Sequence, residues 1–142
     1  MFVGKFFRTL DEKSRLVVPP SFRRELEAEG RQSVILAPDQ DGCLMLTRPA
    51  DFAAKMETLK GDRQTPEGRD RFRYFTANAQ LLELDKAGRV TISDDFRRFA
   101  GLDIGGEAAI AGYLEWAEIW NADVFREREQ RSLTQILAEG RG

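Results

Sequence analysis

The chain has 142 residues, of which 42% are apolar and 32% are charged, and its formal net charge is −2. This composition excludes an intrinsically disordered chain, because it supplies enough apolar side chains for a packed core. The length allows one domain, or two small halves that share a core, since a domain of about 60 to 70 residues is only marginally stable alone. The N-terminus lacks the apolar run of a signal peptide, and no stretch approaches the roughly 20 apolar residues of a membrane helix. We therefore expect a cytoplasmic protein with no membrane partner.

No histidine occurs in the sequence, and Cys43 is its single cysteine. Histidine is the side chain most used for acid–base catalysis near neutral pH, and it is the commonest metal ligand. One cysteine cannot form an internal disulfide or a cysteine-based metal cluster, so we expect Cys43 to pack in the core. The stretch GLDIGG lacks the lysine and the spacing of a phosphate-binding loop. We predict a protein that is not an enzyme, with no catalytic residues, metal, cofactor or small-molecule substrate.

One phrase of the sequence occurs twice. DEKSRLVVPPSFRRELEAEG begins at Asp11, and DKAGRVTISDDFRRFAG begins at Asp85. Aligning the two phrases places Arg15 on Arg89, and the similarity continues downstream, where CLMLTRPADF matches WAEIWNADVF after a shift of one residue. The chain therefore contains an internal duplication, and each copy should form one supersecondary unit.

The first copy begins with two short apolar runs. KFFRTL and RLVV flank the turn-forming residues 11–15, which predicts a β-hairpin. Pro20 suits the first position of a helix and Gly30 suits its C-terminus, so a short helix should lie between them. SVILAP and GCLMLT then flank DQD as a second strand pair, and the apolar spacing predicts a further helix from Pro49 to Lys60.

A linker and a connecting helix precede the second copy. GDRQTPEG has the composition of a linker, and Thr65 begins a helix that should run toward Ala77. AQLLEL and RVTI then flank the turn 85–89 as a second predicted hairpin. Ser93 should cap a short helix that ends at Gly101, and EAAIAG and WAEIW form the last strand pair.

The chain ends in a predicted helix that Asn121 caps. Its inward face should carry Phe125, Leu133 and either Ile136 or Leu137. The elements divide the chain into a first repeat at residues 1–62, a connecting helix at 63–77, and a second repeat with the C-terminal helix at 78–142.

Charged residues are segregated along the chain although their sum is small. Residues 1–24 carry six basic and two acidic side chains, and residues 63–98 carry eight and six. Residues 25–62 and 99–142 each carry four basic and eight acidic side chains. The basic excess therefore lies on the hairpin and first helix of each repeat, which weakens the objection that a net negative charge raises against nucleic-acid binding.

The sequence resembles the MraZ family over nearly the whole chain. The features that carry this resemblance are the doubled Asp-x-x-x-Arg turn, the proline or serine after the next strand, the Phe-Arg-Arg helix, and the stretch AEIWN late in the second copy. This resemblance implies an α+β fold of the AbrB and MazE-like group. In that fold, two duplicated β-β-α-β-β units form a pseudo-two-fold, swapped-hairpin, double-psi-like β-barrel with peripheral helices. The second copy then takes the place of a dimer partner.

The resemblance also implies a function, that of a bacterial, sequence-specific DNA-binding transcriptional regulator. Such a protein represses its own division and cell wall operon by binding repeated promoter elements. It is associated with the nucleoid and forms a ring-shaped homo-oligomer, for which an octamer is one candidate. Direct repeats are expected, because cyclic symmetry relates neighbouring subunits by rotation. The alternative that the sequence leaves open is an antitoxin-like protein-interaction module with the same fold.

The predicted DNA-binding residues lie at the two turns. Arg15 and Arg89 can fork onto guanine, where a bidentate contact is worth about 1 to 3 kcal/mol of discrimination. Alternatively, each arginine only braces its turn by pairing with Asp11 or Asp85, and a surface pair contributes about 0 to 1 kcal/mol. We predict DNA contact, with the aspartates as turn-orienting partners.

Other basic residues lie near these turns. We expect Lys13 and Lys86 to contact phosphate, and Arg8 is a further DNA-binding candidate. The helix arginines 23, 24, 97 and 98 are expected to lie on a solvated face and pair with neighbouring acids, with DNA contact as the alternative. Ser14 stands where the family commonly has glycine, so its turn requires a left-handed conformation that serine adopts less readily.

Overall fold

The computed structural model describes residues 1–30 and 33–141. In this part of the chain the strands are β1 (Lys5–Thr9), β2 (Arg15–Val17), β3 (Ser33–Pro38), β4 (Leu44–Thr47), β5 (Gln80–Glu83), β6 (Arg89–Thr91), β7 (Glu107–Gly112) and β8 (Ala117–Asn121). The helices are α1 (Pro20–Leu26), α2 (Pro49–Thr58), α3 (Pro66–Ala77), α4 (Asp94–Ala100) and α5 (Ala122–Gly140), with 3₁₀ helices at Ala28–Gly30 and Lys60–Gln64. The predicted α+β class is confirmed.

Both sheets contain strands from both copies. Six strands form one antiparallel sheet in the order β1-β7-β8-β4-β3-β5, and β2 and β6 form a separate two-stranded ribbon. Within the large sheet, β1 of the first copy pairs with β7 of the second, and β5 of the second pairs with β3 of the first. Each copy therefore completes its sheet with strands from the other copy. The closed barrel that the family resemblance implies stays a prediction, and so does the division of the chain into residues 1–62, 63–77 and 78–142.

The two predicted hairpins form only at their turns. The backbone N–H of Asp11 donates to the carbonyl of Arg15 at 3.0 Å, and that of Asp85 donates to the carbonyl of Arg89 at 3.0 Å. Beyond this bond the strands separate, because β1 and β5 continue in the six-stranded sheet while β2 and β6 pair with each other. The expectation that KFFRTL pairs with RLVV, and AQLLEL with RVTI, is wrong for this reason.

Apolar side chains anchor the β2–β6 ribbon to the core. Leu16 and Val90, which lie opposite each other, are fully buried. Phe22 of α1 and Phe96 of α4 are buried in the same cluster, as their aligned positions predict. Burying one such side chain stabilises the fold by about 1.5 to 3 kcal/mol, whereas an isolated two-stranded ribbon is at best marginal in water. The core therefore holds the short ribbon in place.

Local capping explains most helix boundaries. Ser93 accepts a hydrogen bond from the N–H of Phe96, and α4 ends at Ala100, where Gly101 with φ 66° forms the C-cap. Pro20 occupies the first turn of α1, but that helix ends at Leu26, four residues before Gly30. The predicted end at Gly30 is wrong because a 3₁₀ turn intervenes. Similarly, α2 stops at Thr58 instead of Lys60, where another 3₁₀ turn begins.

The C-terminal helix extends beyond the sheet. Asn121 caps α5 by accepting from the N–H of Val124 at 3.0 Å, and Phe125 packs against Phe7 and Trp120. The second half of the helix is exposed, including its apolar residues Leu133, Ile136 and Leu137. Their predicted inward position is wrong, because the 19 residues of α5 extend about 28 Å and only its first turns reach the sheet. None of the helices in the described ranges combines the length and apolar character of a membrane span.

Candidate nucleic-acid interface

The first turn is organised by the carboxylate of Asp11. Its Oδ1 accepts from the backbone N–H groups of Lys13 and Arg15, both at 2.9 Å. Its Oδ2 accepts from Nε of Arg15, also at 2.9 Å. An aspartate that binds its own backbone two residues on is a common way to form a tight turn. One carboxylate therefore fixes both the shape of the turn and the direction of the arginine.

The second turn repeats this arrangement. Oδ1 of Asp85 accepts from the N–H groups of Ala87 at 3.0 Å and Arg89 at 2.9 Å, and Oδ2 accepts from Nε of Arg89 at 2.7 Å. The three residues between the aspartate and the arginine differ between the copies: they are EKS in the first and KAG in the second. The same bonds form with both, so the Asp-x-x-x-Arg spacing itself determines the geometry.

These hydrogen bonds favour the ionised form of both carboxyl groups. The backbone bond from Arg89 lowers the pKa of Asp85, with further lowering from the Arg89 side chain and the Ala87 backbone. Partial burial acts to raise the pKa of Asp11, but the bonds from Arg15 and from the Lys13 backbone outweigh it and the pKa is lowered. Each arginine therefore faces an ionised partner across the neutral range.

A left-handed residue closes each turn. Ser14 has φ 61° and Gly88 has φ 76°, as expected for this position. A non-glycine residue in this conformation costs roughly 1 to 2 kcal/mol. Ser14 compensates by donating its hydroxyl to the carbonyl of Ile92 in the second copy, while the N–H of Ile92 donates to the carbonyl of Ser14 at 2.8 Å. The serine thus ties its turn to the other repeat.

The ribbon places both motif arginines on one face. Arg15 lies opposite Thr91, and Arg89 lies opposite Val17. Opposite residues in an antiparallel pair share a face, and alternate residues along a strand do the same. Since the intervening residues of both strands point into the core, these four side chains form the outward face. The two turns lie at opposite ends of the ribbon, because the strands are antiparallel.

Each arginine keeps donors for another partner. The side chain of Arg15 is 24% exposed and that of Arg89 is 31% exposed. Nε is bound to the aspartate in both, and within the described residues neither pair of terminal Nη groups makes a further hydrogen bond. Lys13 and Lys86 are exposed in the same turns. The structure therefore brings four of the five predicted basic residues to the ends of one ribbon.

Arg8 lies apart from this group. It belongs to β1 in the six-stranded sheet, where it lies opposite Ala108 of β7. Its Nη1 donates to the carbonyl of Phe7 at 3.0 Å, and its guanidinium lies 5.7 Å from the centre of the Phe6 ring. Arg8 is therefore engaged locally and is not on the ribbon.

Arg23, which the sequence left between a solvated helix face and DNA contact, lies against the second turn. Its Nε pairs with Glu27 at 3.0 Å, as expected for a helix-face arginine, but its Nη2 also approaches the carbonyl of Lys86 at 3.5 Å in the other copy. Its counterpart Arg97 pairs with Asp94. No pattern within one copy indicates the contact with Lys86, because that contact depends on how the two copies fit together.

A second cluster, of side chains that could bind a metal ion, lies where the turn between β3 and β4 meets β8. One ligand atom from each of Asp39, Cys43 and Glu118 lies within 4.8 Å of the others. Lys55 donates to both oxygens of Asp39 at 3.0 and 3.1 Å, and Trp120 donates to Glu118 at 3.1 Å. Burial raises the pKa of the Cys43 thiol, as does the neighbouring Glu118. The thiol is therefore neutral, and Cys43 packs in the interior as predicted.

The fold and the paired turns define an internally duplicated α+β protein with two matched turns, each of which carries one lysine and one arginine. The family model described as "MraZ protein, putative antitoxin-like" matches residues 75–139. Proteins named "Transcriptional regulator MraZ" from Burkholderia mallei (strain SAVP1) and Burkholderia pseudomallei (strain 668) are each 34% identical over 142 residues, which covers 98% of this chain and 95% of the relative. One of the same name from Kocuria rhizophila is 37% identical over 128 residues, covering 89% of this chain and 85% of the relative.

The chain belongs to the MraZ family. The relatives are named as regulators of transcription, a family without enzymatic activity, so the expectation that the chain is not an enzyme is confirmed. The resemblance drawn from the doubled turn is likewise confirmed.

Proposed function

We propose that the chain is a sequence-specific DNA-binding transcriptional regulator that represses its own division and cell wall operon. The observation that carries this proposal is the outward face of the ribbon, where Arg15 and Arg89 keep their terminal donors beside the exposed Lys13 and Lys86. Stability alone explains these arginines poorly, since partly exposed ion pairs contribute about 0 to 1 kcal/mol. The regulator name of the relatives agrees with this function.

The geometry suits readout in the major groove. That groove, about 12 Å wide, admits a two-stranded β-ribbon. With Nε held by an aspartate, each guanidinium presents its Nη groups in a fixed direction, which reduces the entropy lost when it forks onto guanine. The lysines at the two ends would contact phosphate and set the register. In this proposal Asp11 and Asp85 orient the arginines and do not touch DNA.

An assembly of several copies can bind several operator elements at once. We propose a ring-shaped homo-oligomer, with an octamer as one candidate, that binds direct repeats in its promoter on the nucleoid in the cytoplasm. One ribbon with four basic residues binds weakly, but linked ribbons raise the effective concentration at neighbouring boxes. The exposed apolar residues Leu133, Ile136 and Leu137 of α5 support self-association, since such groups on one helix face favour burial against a partner.

A fluorescence anisotropy titration with the DNA upstream of the chain's own gene tests the proposal. Affinity should fall steeply with salt, and the double variant Arg15→Ala/Arg89→Ala should lose most of it while the thermal unfolding midpoint stays near that of the wild type. The matched control removes two exposed arginines from helices, Arg73→Ala/Arg131→Ala. Equal losses in both double variants would mean that binding depends only on total charge, and would overturn the assignment.

An antitoxin-like protein-interaction module is the second candidate function. The exposed apolar stripe of α5 favours it, and so does the description of the matching family model. The two candidates differ in the ribbon's role. If DNA fails to bind at low salt while the chain forms a stable complex with another protein through α5, the second function replaces the first.

A further inference from the structure

Arg23 is packed against the backbone of the second turn. A Cβ atom added to Gly88 would lie 2.8 Å from Nη1 of Arg23 and 3.0 Å from its Cδ. The Nη2 of Arg23 is 3.5 Å from the carbonyl oxygen of Lys86, and the N–H of Val18 donates to the carbonyl of Gly88 at 2.9 Å. Helix α1 and Val18, which directly follows β2, therefore support the turn of the second copy from the first.

The first turn is supported differently. At the position of Gly88 it has Ser14, whose hydroxyl donates to the carbonyl of Ile92. The aligned helix arginine, Arg97, pairs with Asp94, and its Nε is buried without a hydrogen-bond partner among the described residues. The two turns thus have the same internal bonds but unlike external supports, a serine hydroxyl in one and a guanidinium in the other.

We propose that Arg23 is a positioning residue that holds the turn Asp85–Arg89, and with it Lys86 and Arg89, in the conformation that binds DNA. The effect on DNA binding rests on the proposed function, whereas the contact between Arg23 and the turn does not. The guanidinium fills the space beside Gly88, where a side chain would otherwise lie, and so packs against the left-handed residue of the turn. Glu27 holds that guanidinium in place through the bond to Nε at 3.0 Å. Arg23 acts through the turn and does not itself contact the DNA.

Amide hydrogen exchange on the protein without DNA tests the geometric part. In Arg23→Ala the N–H groups of Gly88 and Arg89, which are bonded to Asp85, should exchange about fivefold faster, the change expected from weakening one hydrogen bond. The amides of Ser14 and Arg15 serve as the internal reference and should not change. Arg24→Ala removes the same charge one residue away and should leave all four rates unchanged. Equal rates in the two variants would overturn the proposal.

A double-mutant cycle tests the action on DNA. Arg23→Ala should reduce affinity about fivefold in the wild-type background, but should cause no further loss when Lys86 and Arg89 are already alanine. An equal loss in both backgrounds would mean that Arg23 contacts DNA directly, and would overturn its positioning role. If the wild type binds no DNA at all, the proposed function fails, and the exchange rates still decide whether Arg23 holds the turn.

Two further variants keep the test decisive if Arg23→Ala does not fold. Arg23→Lys keeps the charge but lacks the planar group that covers Gly88, so it should also speed exchange of the second turn. Gly88→Ser places a side chain where Arg23 lies, in a conformation that Ser14 shows serine can adopt. It should loosen the turn in the presence of Arg23. Unchanged exchange in both variants would contradict the proposal.

Discussion

Arg15 and Arg89 lie diagonally across the β2–β6 ribbon, since Arg15 is opposite Thr91 and Arg89 is opposite Val17. Diagonal neighbours of this kind are about 7 to 8 Å apart at the backbone. Each guanidinium is turned toward the aspartate of its own turn, and the turns are at opposite ends of the ribbon. The duplication therefore places two arginines with the same internal hydrogen bonds on a single two-stranded ribbon.

Replacing both arginines by lysine separates charge from shape. Arg15→Lys/Arg89→Lys keeps the net charge but loses the planar fork and the Nε bond to the aspartate. We expect the affinity for the operator to fall by about 1 to 3 kcal/mol per site, while affinity for unrelated DNA changes little. Anisotropy titrations with operator and scrambled duplexes at one salt concentration measure both. An equal loss on the two duplexes would show that the arginines contact phosphate and not bases.

Acid should remove the contribution of the turn aspartates to stability. Their folded-state pKa values are lowered from 3.8, so the stabilisation is complete above that pH and is lost as the pH falls through the lowered values. We expect Asp11→Asn/Asp85→Asn to be less stable than the wild type near neutral pH, with the difference shrinking below about pH 3.8. Urea midpoints across this range measure it. A difference that grew on acidification would contradict the sign.

An exposed carboxylate controls for the loss of charge itself. Asp70→Asn removes the same charge as each of the two turn substitutions, from a side chain that is 78% exposed and lies on α3. Its effect on the urea midpoint should be small, because exposed ion pairs contribute little. A pH dependence as large as that of the turn variant would assign the effect to net charge.

Ser14 should respond differently to alanine and to glycine. Alanine loses the hydroxyl bond to Ile92 and keeps the left-handed strain, so Ser14→Ala should destabilise the fold by about 1 kcal/mol. Glycine also loses the bond but relieves the strain, so Ser14→Gly should cost less, with the two effects offsetting each other to within roughly 1 kcal/mol. Urea unfolding ranks the variants. A glycine variant less stable than the alanine variant would show that the strain is negligible.

The elements of the fold were predictable because their signals are local. Pro20, Ser93 and Asn121 begin helices through their own backbone and side-chain chemistry, and the duplication indicated that aligned residues such as Phe22 and Phe96 share the core. Strand partners were not predictable in the same way. A hairpin is the default for two nearby strands, but β2 finds its partner in the other copy, where Leu16 and Val90 bury each other.

The internal structure of the site was predictable, but its support was not. The Asp-x-x-x-Arg spacing places a carboxylate within reach of the backbone of its own turn, which is a local property. The contacts of Ser14 with Ile92 and of Arg23 with Gly88 join residues from different copies. They depend on how the copies fit together, which no single turn encodes.

Substitutions in the second half of α5 test whether its apolar residues are exposed on one chain. Leu133 and Ile136 are 47% and 62% exposed, so Leu133→Ser/Ile136→Ser should change the free energy of unfolding of one chain by no more than about 0.5 kcal/mol for each substitution. Leu102→Ala, at a side chain that is 4% exposed, should cost about 2 to 5 kcal/mol. Light scattering should show a smaller assembly for the serine variant if this stripe joins copies in the proposed ring. A large loss of stability with unchanged mass would mean that the stripe packs inward after all, as its helical periodicity first indicated.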